Sequence, residues 1–129
     1  MIILDTHIWI WWVDNHPKLN QRQRDLINSY QSSGLGVSII SCWEVAKLVE
    51  NKKLILSCSV DEWLKVSLAY PGVQLLNLTL PIIVASTQLA GFHRDPADQL
   101  IVATAQICNC SLLTADSKIL AYPGVDTLI

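Results

Sequence analysis

Residues 95–116 read DPADQLIVATAQICNCSLLTAD and combine a helix signal, a strand signal and three aspartates. The opening Asp-Pro pair is typical of an N-cap followed by proline at the first helical position. Apolar residues then recur at helical spacing, which predicts a helix over Pro96 to about Cys108. Ser111–Thr114 is a short apolar run typical of a buried strand, and Asp116 follows it closely. The stretch therefore predicts one helix-then-strand unit of an α/β fold, with an acid after the strand.

The same alternation of strand and helix continues over the rest of the chain. Short apolar runs predict further strands at Ile2–Leu4, Gly36–Ile40, Gln74–Leu78 and Val125–Ile129. Amphipathic segments predict helices from Pro17 to about Ser32, after Ser41, after Ser59 and near Pro81. This alternation favours an α/β fold with a mainly parallel, roughly five-stranded sheet flanked by helices.

Length and composition indicate one compact domain. The 129 residues fit a single domain spanning residues 1–129, and a charged share of only 16% with 51% hydrophobic residues excludes intrinsic disorder. The mean hydropathy of +0.36 raises the question of a membrane span, but prolines and polar residues interrupt the uncharged stretch 66–93. The N-terminus lacks the basic start and long apolar run of a signal peptide. We therefore expect a cytoplasmic protein without a membrane span.

Cysteines and net charge argue against two common classes of site. The four cysteines include no Cys-x-x-Cys pair, so free thiols are expected rather than a zinc site or disulfides. The formal charge of −2 does not resemble that of a basic nucleic-acid-binding domain. If four of the eleven acids bound a metal ion, however, nine basic and seven acidic groups would remain. That balance permits contact with phosphates.

Two acids follow predicted strands, and two more open predicted helices. Asp5 and Asp116 come after strands, and the carboxyl ends of parallel strands meet at one edge of a sheet. Glu44 lies in the first turn of the helix after the second strand, which brings it to the same edge. Asp98 opens the helix before the fourth strand, and the sequence does not fix its position relative to that edge.

Helix capping is an alternative explanation for each acid taken alone. Ser41 to Glu44 has the pattern of a capping box, and Asp95 to Asp98 that of an N-cap with a favourable acid in the first turn. Asp5 and Asp116 can equally be caps at strand ends. Spacing alone therefore does not establish a functional site.

Four motifs in a fixed order give the acids a specific meaning. They are Asp5-Thr6-His7 after an apolar strand, SIISCWEVAK at residues 38–47, DPADQLIVATA at residues 95–105, and LLTAD at residues 112–116. Together they resemble a PIN-domain ribonuclease of the VapC toxin type, over the chain from Ile3 to the last strand. The resemblance implies a PIN-like three-layer sandwich and a metal-dependent endoribonuclease that acts as the toxin of a toxin–antitoxin pair.

The resemblance also implies roles for individual residues. It places the acidic positions of the family at Asp5, Glu44, Asp98 and Asp116, with Asp95 as a frequent accessory acid. The implied cofactor is Mg²⁺ or Mn²⁺, which carboxylate oxygens suit better than they suit zinc. We assign Asp5, Asp98 and Asp116 as metal ligands, and Glu44 as the group that orients or deprotonates the attacking water. Gln99 departs from the family pattern, in which arginine is common just after the third acid.

Neighbouring polar residues are candidates for supporting roles. Thr6, Ser41 and Thr114 adjoin the acids and are expected either to hydrogen-bond them or to form caps and turns. Arg94 stands just before Asp95 and is the best candidate for a contact with RNA phosphate, although solvated arginines are common.

Partners and alternatives complete the sequence-based prediction. The apolar run Ile8–Val13, with three tryptophans, predicts core or interface packing in preference to base stacking. The implied partners are an RNA substrate, a cognate antitoxin protein bound by a helix-in-groove contact, and a second copy in a homodimer. Two alternatives stay open: a PIN-fold binding or scaffold module with little or no nuclease activity, and a metal-dependent DNA nuclease.

Overall fold

The structure is a computed structural model that describes residues 1–129. Five strands and seven helices follow one another along the chain, in the order β1 Ile2–Leu4, α1 Thr6–Val13, α2 Gln21–Tyr30, β2 Leu35–Ser38, α3 Ile39–Glu50, α4 Val60–Leu68, β3 Val73–Leu76, α5 Leu80–Ser86, α6 Pro96–Cys108, β4 Ser111–Leu113, α7 Ser117–Leu120 and β5 Thr127–Leu128. No helix has both the length and the apolar character that a membrane crossing requires.

The five strands form one parallel sheet in the order β3-β2-β1-β4-β5. β1 is central, and its three residues are at most 1% exposed, as expected for a strand covered on both faces. From β1 the chain builds outward through β2 and β3, then returns to β1's other side with β4. The strand order therefore reverses between β1 and β4, and ligands bind outside the carboxyl ends of strands at such a switch point.

Successive side chains of the central strands point to opposite faces of the sheet and pack into two separate hydrophobic cores. Ile2 and Leu4 enter the larger core, which is completed by side chains from α1 to α4. Ile3 points to the opposite face and packs with residues of α6, β4 and α7. Helices on both faces of the sheet make three layers, which confirms the predicted α/β sandwich.

The predicted strands are confirmed with shifted ends, but the helices differ more. α2 begins at Gln21 rather than Pro17, because Asn20 and Gln23 form a capping box that fixes the first turn there. α1 was not among the helices assigned from periodicity, since its apolar residues lie on all sides of the helix. The short α7 was not expected.

The apolar run that forms α1 packs within its own chain. Ile8, Trp9 and Ile10 are at most 4% exposed, and residues 11–13 pack partly buried against the same core. Core packing is thus confirmed for this run, and Trp11 within it also lines a surface cavity. Large apolar residues that remain exposed lie elsewhere, on α3 and the loop after it, on α4, β3, α5, α6 and α7, and at Ile129.

Candidate active site

Asp5 stands where β1 ends and α1 begins, and both of its carboxylate oxygens are held. Oδ1 accepts a hydrogen bond from the Thr6 backbone N–H at 2.8 Å, so Asp5 is the N-cap of α1. Oδ2 accepts one from the Thr114 hydroxyl at 2.7 Å, across the β1–β4 pairing. Burial raises the pKa of Asp5, and these two hydrogen bonds act in the opposite direction.

Glu44 reaches the same region from α3, and α1 holds it in place. The Thr6 hydroxyl donates a short hydrogen bond to Oε1 of Glu44. The same Thr6 oxygen lies 2.8 Å from the hydroxyl oxygen of Ser41. Because the Thr6 hydroxyl has one proton and an ionised carboxylate only accepts, Ser41 is the donor to Thr6 in that state. Burial raises the pKa of Glu44 to about 6.

The predicted capping box at Ser41 is wrong. Ser38, the last residue of β2, caps α3 instead by accepting from the Ile40 N–H at 3.2 Å. α3 therefore starts at Ile39, and Ser41 is a buried residue of its first turn that faces Thr6. Glu44 is consequently free of a capping role, and its carboxylate serves the acidic site.

The N-terminus of α6 brings Asp95 and Asp98 to this region. Asp95 caps the helix by accepting from the Asp98 N–H at 3.0 Å, as its sequence pattern predicts. Glu44, Asp95 and Asp98 each offer an oxygen within 4.8 Å of the others'. Burial, followed by repulsion from Asp5 and the other neighbouring acids, raises the pKa of Asp98 to about 8.

Asp116 completes the group from the carboxyl end of β4. It caps α7 by accepting from the Lys118 N–H at 2.8 Å, and its own N–H donates to the Thr114 hydroxyl at 3.0 Å. The Thr114 hydroxyl, which is fully buried, also donates to the carboxylate of Asp5 and so links Asp116 to Asp5. Asp116 also raises the pKa of both Asp5 and Asp98, which places its charge near theirs.

His93 lies in the loop before α6 and is a further neighbour of the site. Its Nε2 lies 3.0 Å from Oδ2 of Asp98, with both side chains largely buried. Nε2 nevertheless has no hydrogen-bond partner, so the two side chains are close without hydrogen-bond geometry. Gln99 holds this loop by donating to the His93 carbonyl oxygen at 3.0 Å. No local sequence pattern links His93 to Asp98, so only the fold reveals the contact.

The structure brings most of the predicted site residues together. The four principal acids act on one another electrostatically, Asp95 lies beside two of them, and all three supporting hydroxyls hydrogen-bond within the group. Arg94 differs, because it is exposed and forms no salt bridge. Asp5, Asp95 and Asp116 each cap a helix and also belong to the group of acids. Helix capping and a functional site are therefore not mutually exclusive explanations for these residues.

The donor set fits a hard divalent cation. All of the clustered groups are carboxylates, the ligands that Mg²⁺ and Mn²⁺ take in preference to zinc. One oxygen from each of Glu44, Asp95 and Asp98 lies within 4.8 Å of the other two, so a single ion is within reach of all three carboxylates. A bound cation would also relieve the repulsion that raises the pKa of Asp98.

Comparison with known proteins finds a matching domain family and a similar ribonuclease. The family described as PIN domain matches residues 2–125. Ribonuclease VapC22 from Mycobacterium tuberculosis is 29% identical over 122 residues, which cover 94% of this chain and 91% of that protein.

Solved structures share the fold over almost the whole chain. The structure of VapBC2 from Rickettsia felis bound to a promoter DNA fragment superposes with a TM-score of 0.72 at 18% identity, covering 99% of this chain and 98% of that one. FitAcB from Neisseria gonorrhoeae gives a TM-score of 0.71 at 24% identity, covering 100% and 97%. At these identities the likeness concerns the fold alone.

Proposed function

The chain belongs to the PIN domain family, and from that membership we propose that it is a metal-dependent endoribonuclease acting as the toxin of a toxin–antitoxin pair. The observation that carries the proposal is the convergence of Asp5, Glu44, Asp98 and Asp116 at the switch point of the sheet. The ribonuclease name of the relative from Mycobacterium tuberculosis supports RNA as the substrate. We place the activity in the cytoplasm.

Asp5, Asp98 and Asp116 are the proposed ligands of Mg²⁺ or Mn²⁺. Asp98 belongs to this set and also to the close group with Glu44 and Asp95, so metal binding depends on it most. Asp5 keeps lone pairs for a metal, because each of its oxygens accepts only one hydrogen bond within the protein. A bound cation supplies an activated water and neutralises charge that develops on the phosphate.

Glu44 is the proposed group that orients the attacking water and accepts its proton. Its Oε1 is fixed by the Thr6 hydroxyl, which limits rotation of the carboxylate. A pKa of about 6 leaves Glu44 ionised at neutral pH and close enough to that pH to take up a proton. Ser41 and Thr6 therefore position Glu44, and Thr114 positions Asp5.

Cleavage assays test the nuclease proposal directly. We expect the protein to cut members of a panel of RNAs only with Mg²⁺ or Mn²⁺, and Asp5→Asn to abolish cutting. Asp61→Asn is the matched control, since Asp61 is an exposed acid of α4 that pairs with Lys65. Cutting of DNA of the same sequences but not of RNA would identify a DNA nuclease. Absence of metal-dependent cutting of either would favour a binding or scaffold module.

The toxin role has a separate test. The structures from Rickettsia felis and Neisseria gonorrhoeae bear the names VapBC2 and FitAcB, and the first is described as bound to its promoter DNA. For this chain we propose a protein antitoxin that covers the acidic site. Induced expression should arrest growth, Asp5→Asn should not, and co-expression of the antitoxin should restore growth. Arrest by Asp5→Asn as strong as by the native chain would contradict the toxin proposal.

A further inference from the structure

A surface cavity lies beside the acidic site, between α1 and the end of α3. Its volume is about 260 Å³, slightly below the range of about 300–1,000 Å³ typical of drug-sized ligands. The side chains that line it and matter here are His7, Trp11, His16, Lys18, Leu48 and Lys53. Aromatic and cationic side chains thus lie together at one cavity of a chain whose overall charge is −2.

The C-terminal ends of α1 and α3 place His16 and Lys53 at this cavity. At the end of α1 the His16 N–H donates to the Trp11 carbonyl and the Asn15 N–H to the Trp12 carbonyl, which is a Schellman motif. α3 ends in the same motif, with the Lys53 N–H donating to the Leu48 carbonyl and the Lys52 N–H to the Val49 carbonyl. His16 and Lys53 follow their helices at equivalent positions and face one cavity.

Trp11 is the aromatic surface of the cavity. The ring of His16 lies 28° from its plane with 6.3 Å between centroids, and the ring of His7 lies 6.0 Å away. The Lys18 ammonium stands over the indole, 5.9 Å from its centroid. Trp9 and Trp12 are different, because they pack edge-on against Trp63 and Tyr70.

The charges around the cavity favour an anion. Lys18 and Lys53 form no salt bridge, although acids outnumber bases in the chain. Asp14, the acid that lines the cavity, accepts a hydrogen bond from the Trp63 indole N–H at 3.1 Å. Two ammonium groups without a salt-bridge partner therefore line the cavity that contains the Trp11 ring. Cationic and aromatic side chains together are the combination that recognises a base and its phosphate in single strands.

The cavity is one helical turn from the acidic site along both helices. His7 is adjacent to Thr6, whose hydroxyl holds Glu44, and Leu48 follows Glu44 by four residues on α3. Residues four apart on a helix have Cβ atoms about 5–6 Å from each other. A nucleotide next to the scissile phosphate is therefore within reach of Trp11.

We propose that this cavity is a subsite for one nucleotide of the substrate, with the base stacked on Trp11 and the adjoining phosphate held by Lys18 and Lys53. The proposal rests on the proposed nuclease function and deepens it, because it names the residues that select single-stranded over paired RNA. Paired bases are already stacked and cannot enter. A protein segment in the same cavity is the competing occupant, which the unpaired ammonium groups disfavour.

Equilibrium binding of a fluorescein-labelled single-stranded RNA to the Asp98→Asn protein tests the subsite without any cleavage. Trp11→Leu should weaken binding about 5- to 150-fold, the effect of losing one base–aromatic stack, and Trp11→Phe should restore most of it. Trp43→Leu is the matched control, because Trp43 also carries a lysine at 5.9 Å but lines none of the cavity. Thermal melts confirm that each variant is folded.

Salt dependence separates stacking from phosphate contact. Lys18→Gln and Lys53→Gln should each lower the slope of log K against log salt by about 0.7, whereas Trp11→Leu should leave the slope unchanged. Equal RNA affinity of Asp98→Asn and of Asp98→Asn combined with Trp11→Leu would overturn the subsite, and metal-dependent cleavage by the native protein would leave the nuclease proposal intact. Loss of antitoxin binding with unchanged RNA affinity would assign the cavity to protein docking instead.

Discussion

Asp5 shows how one side chain takes part in both the fold and the site. Its first oxygen caps α1, its second ties β1 to Thr114 beyond β4, and its charge repels Asp98. An amide at this position keeps the shape and one acceptor oxygen but removes the buried charge. Replacement by asparagine therefore separates the electrostatic role of Asp5 from its role as a cap.

Metal ions should stabilise the native protein far more than Asp5→Asn. A cation that binds only the folded state adds RT ln(1 + [L]/Kd), about 2.7 kcal/mol at a hundredfold excess over Kd. Without metal, Asp5→Asn should be at least as stable as the native protein, because it lacks one buried negative charge. Thermal melts of both proteins over a Mn²⁺ titration measure this difference. Equal shifts in both would mean that Asp5 is not a ligand.

The stability of the metal-free protein should fall as the pH rises from about 4 to about 8. The pKa of Asp98 is raised from 3.8 to about 8 and that of Glu44 from 4.5 to about 6, so the folded state holds protons that the unfolded state releases. The stabilisation is complete below the unfolded pKa values and is lost as pH passes the folded ones. Urea unfolding in EDTA at several pH values measures the trend.

Asp98→Asn provides the comparison for this pH dependence. The amide cannot ionise, so the variant should lose the part of the decline that Asp98, with a pKa of about 8, contributes as the pH rises toward 8. Saturating Mn²⁺ should likewise flatten the decline in the native protein, because it stabilises the ionised carboxylates. A decline of the same size in native protein and variant would show that other groups cause it.

Helix ends were harder to predict than helices, and α3 shows why. The sequence offers two serines, Ser38 and Ser41, and each is followed by a plausible first turn. The pairing of β2 with β1 and β3 ends the strand at Ser38, so that serine becomes the cap and Ser41 turns toward Thr6. The choice is made by strand pairing and by a residue 35 positions away, and neither is visible in a local pattern.

Lys52→Gly should stabilise the protein by about 0.5–1 kcal/mol. Lys52 has a φ of +59° at the Schellman position of α3, where a side chain costs about 1–2 kcal/mol and glycine costs little. Part of this gain is offset by the greater freedom of glycine in the unfolded chain. Urea unfolding should show a higher midpoint with an unchanged slope, and Lys52→Ala should show no such gain. A gain as large with alanine would point to relief of charge repulsion instead.

At the scale of the whole molecule, alternation of strands and helices was sufficient to predict the fold class and the position of Asp5 and Asp116. It was not sufficient for Asp98, because α6 precedes its strand and its N-terminus could lie at either edge of the sheet. The structure brings that N-terminus to the acids since α6 packs against α3 and the face that contains Ile3. Long-range packing of this kind leaves no trace in the spacing of residues.

The chain should form a homodimer at micromolar concentration through α5. Leu80, Ile83 and Val84 lie at i, i+3 and i+4 on this helix and are 77%, 43% and 52% exposed, an apolar stripe that is costly to leave in water. Val84→Asp should therefore yield a monomer in light-scattering measurements. Ile55→Asp is the control, since Ile55 is 92% exposed on a loop. A native monomer, or dissociation by both variants, would contradict this interface.

The pairing of β4 beside β1 governs when a newly made chain becomes active. Thr114 and Asp5 are 109 residues apart, and the acids cannot assemble until the ribosome has released the chain through Asp116. Domains fold as units during synthesis at about 5–20 residues per second, so a partly translated chain has Asp5 and Glu44 without their counterparts. A truncated or stalled product that lacks Asp98 and Asp116 should therefore lack the proposed nuclease activity. Translation through Asp116 thus sets the earliest time at which the complete group of acids can form.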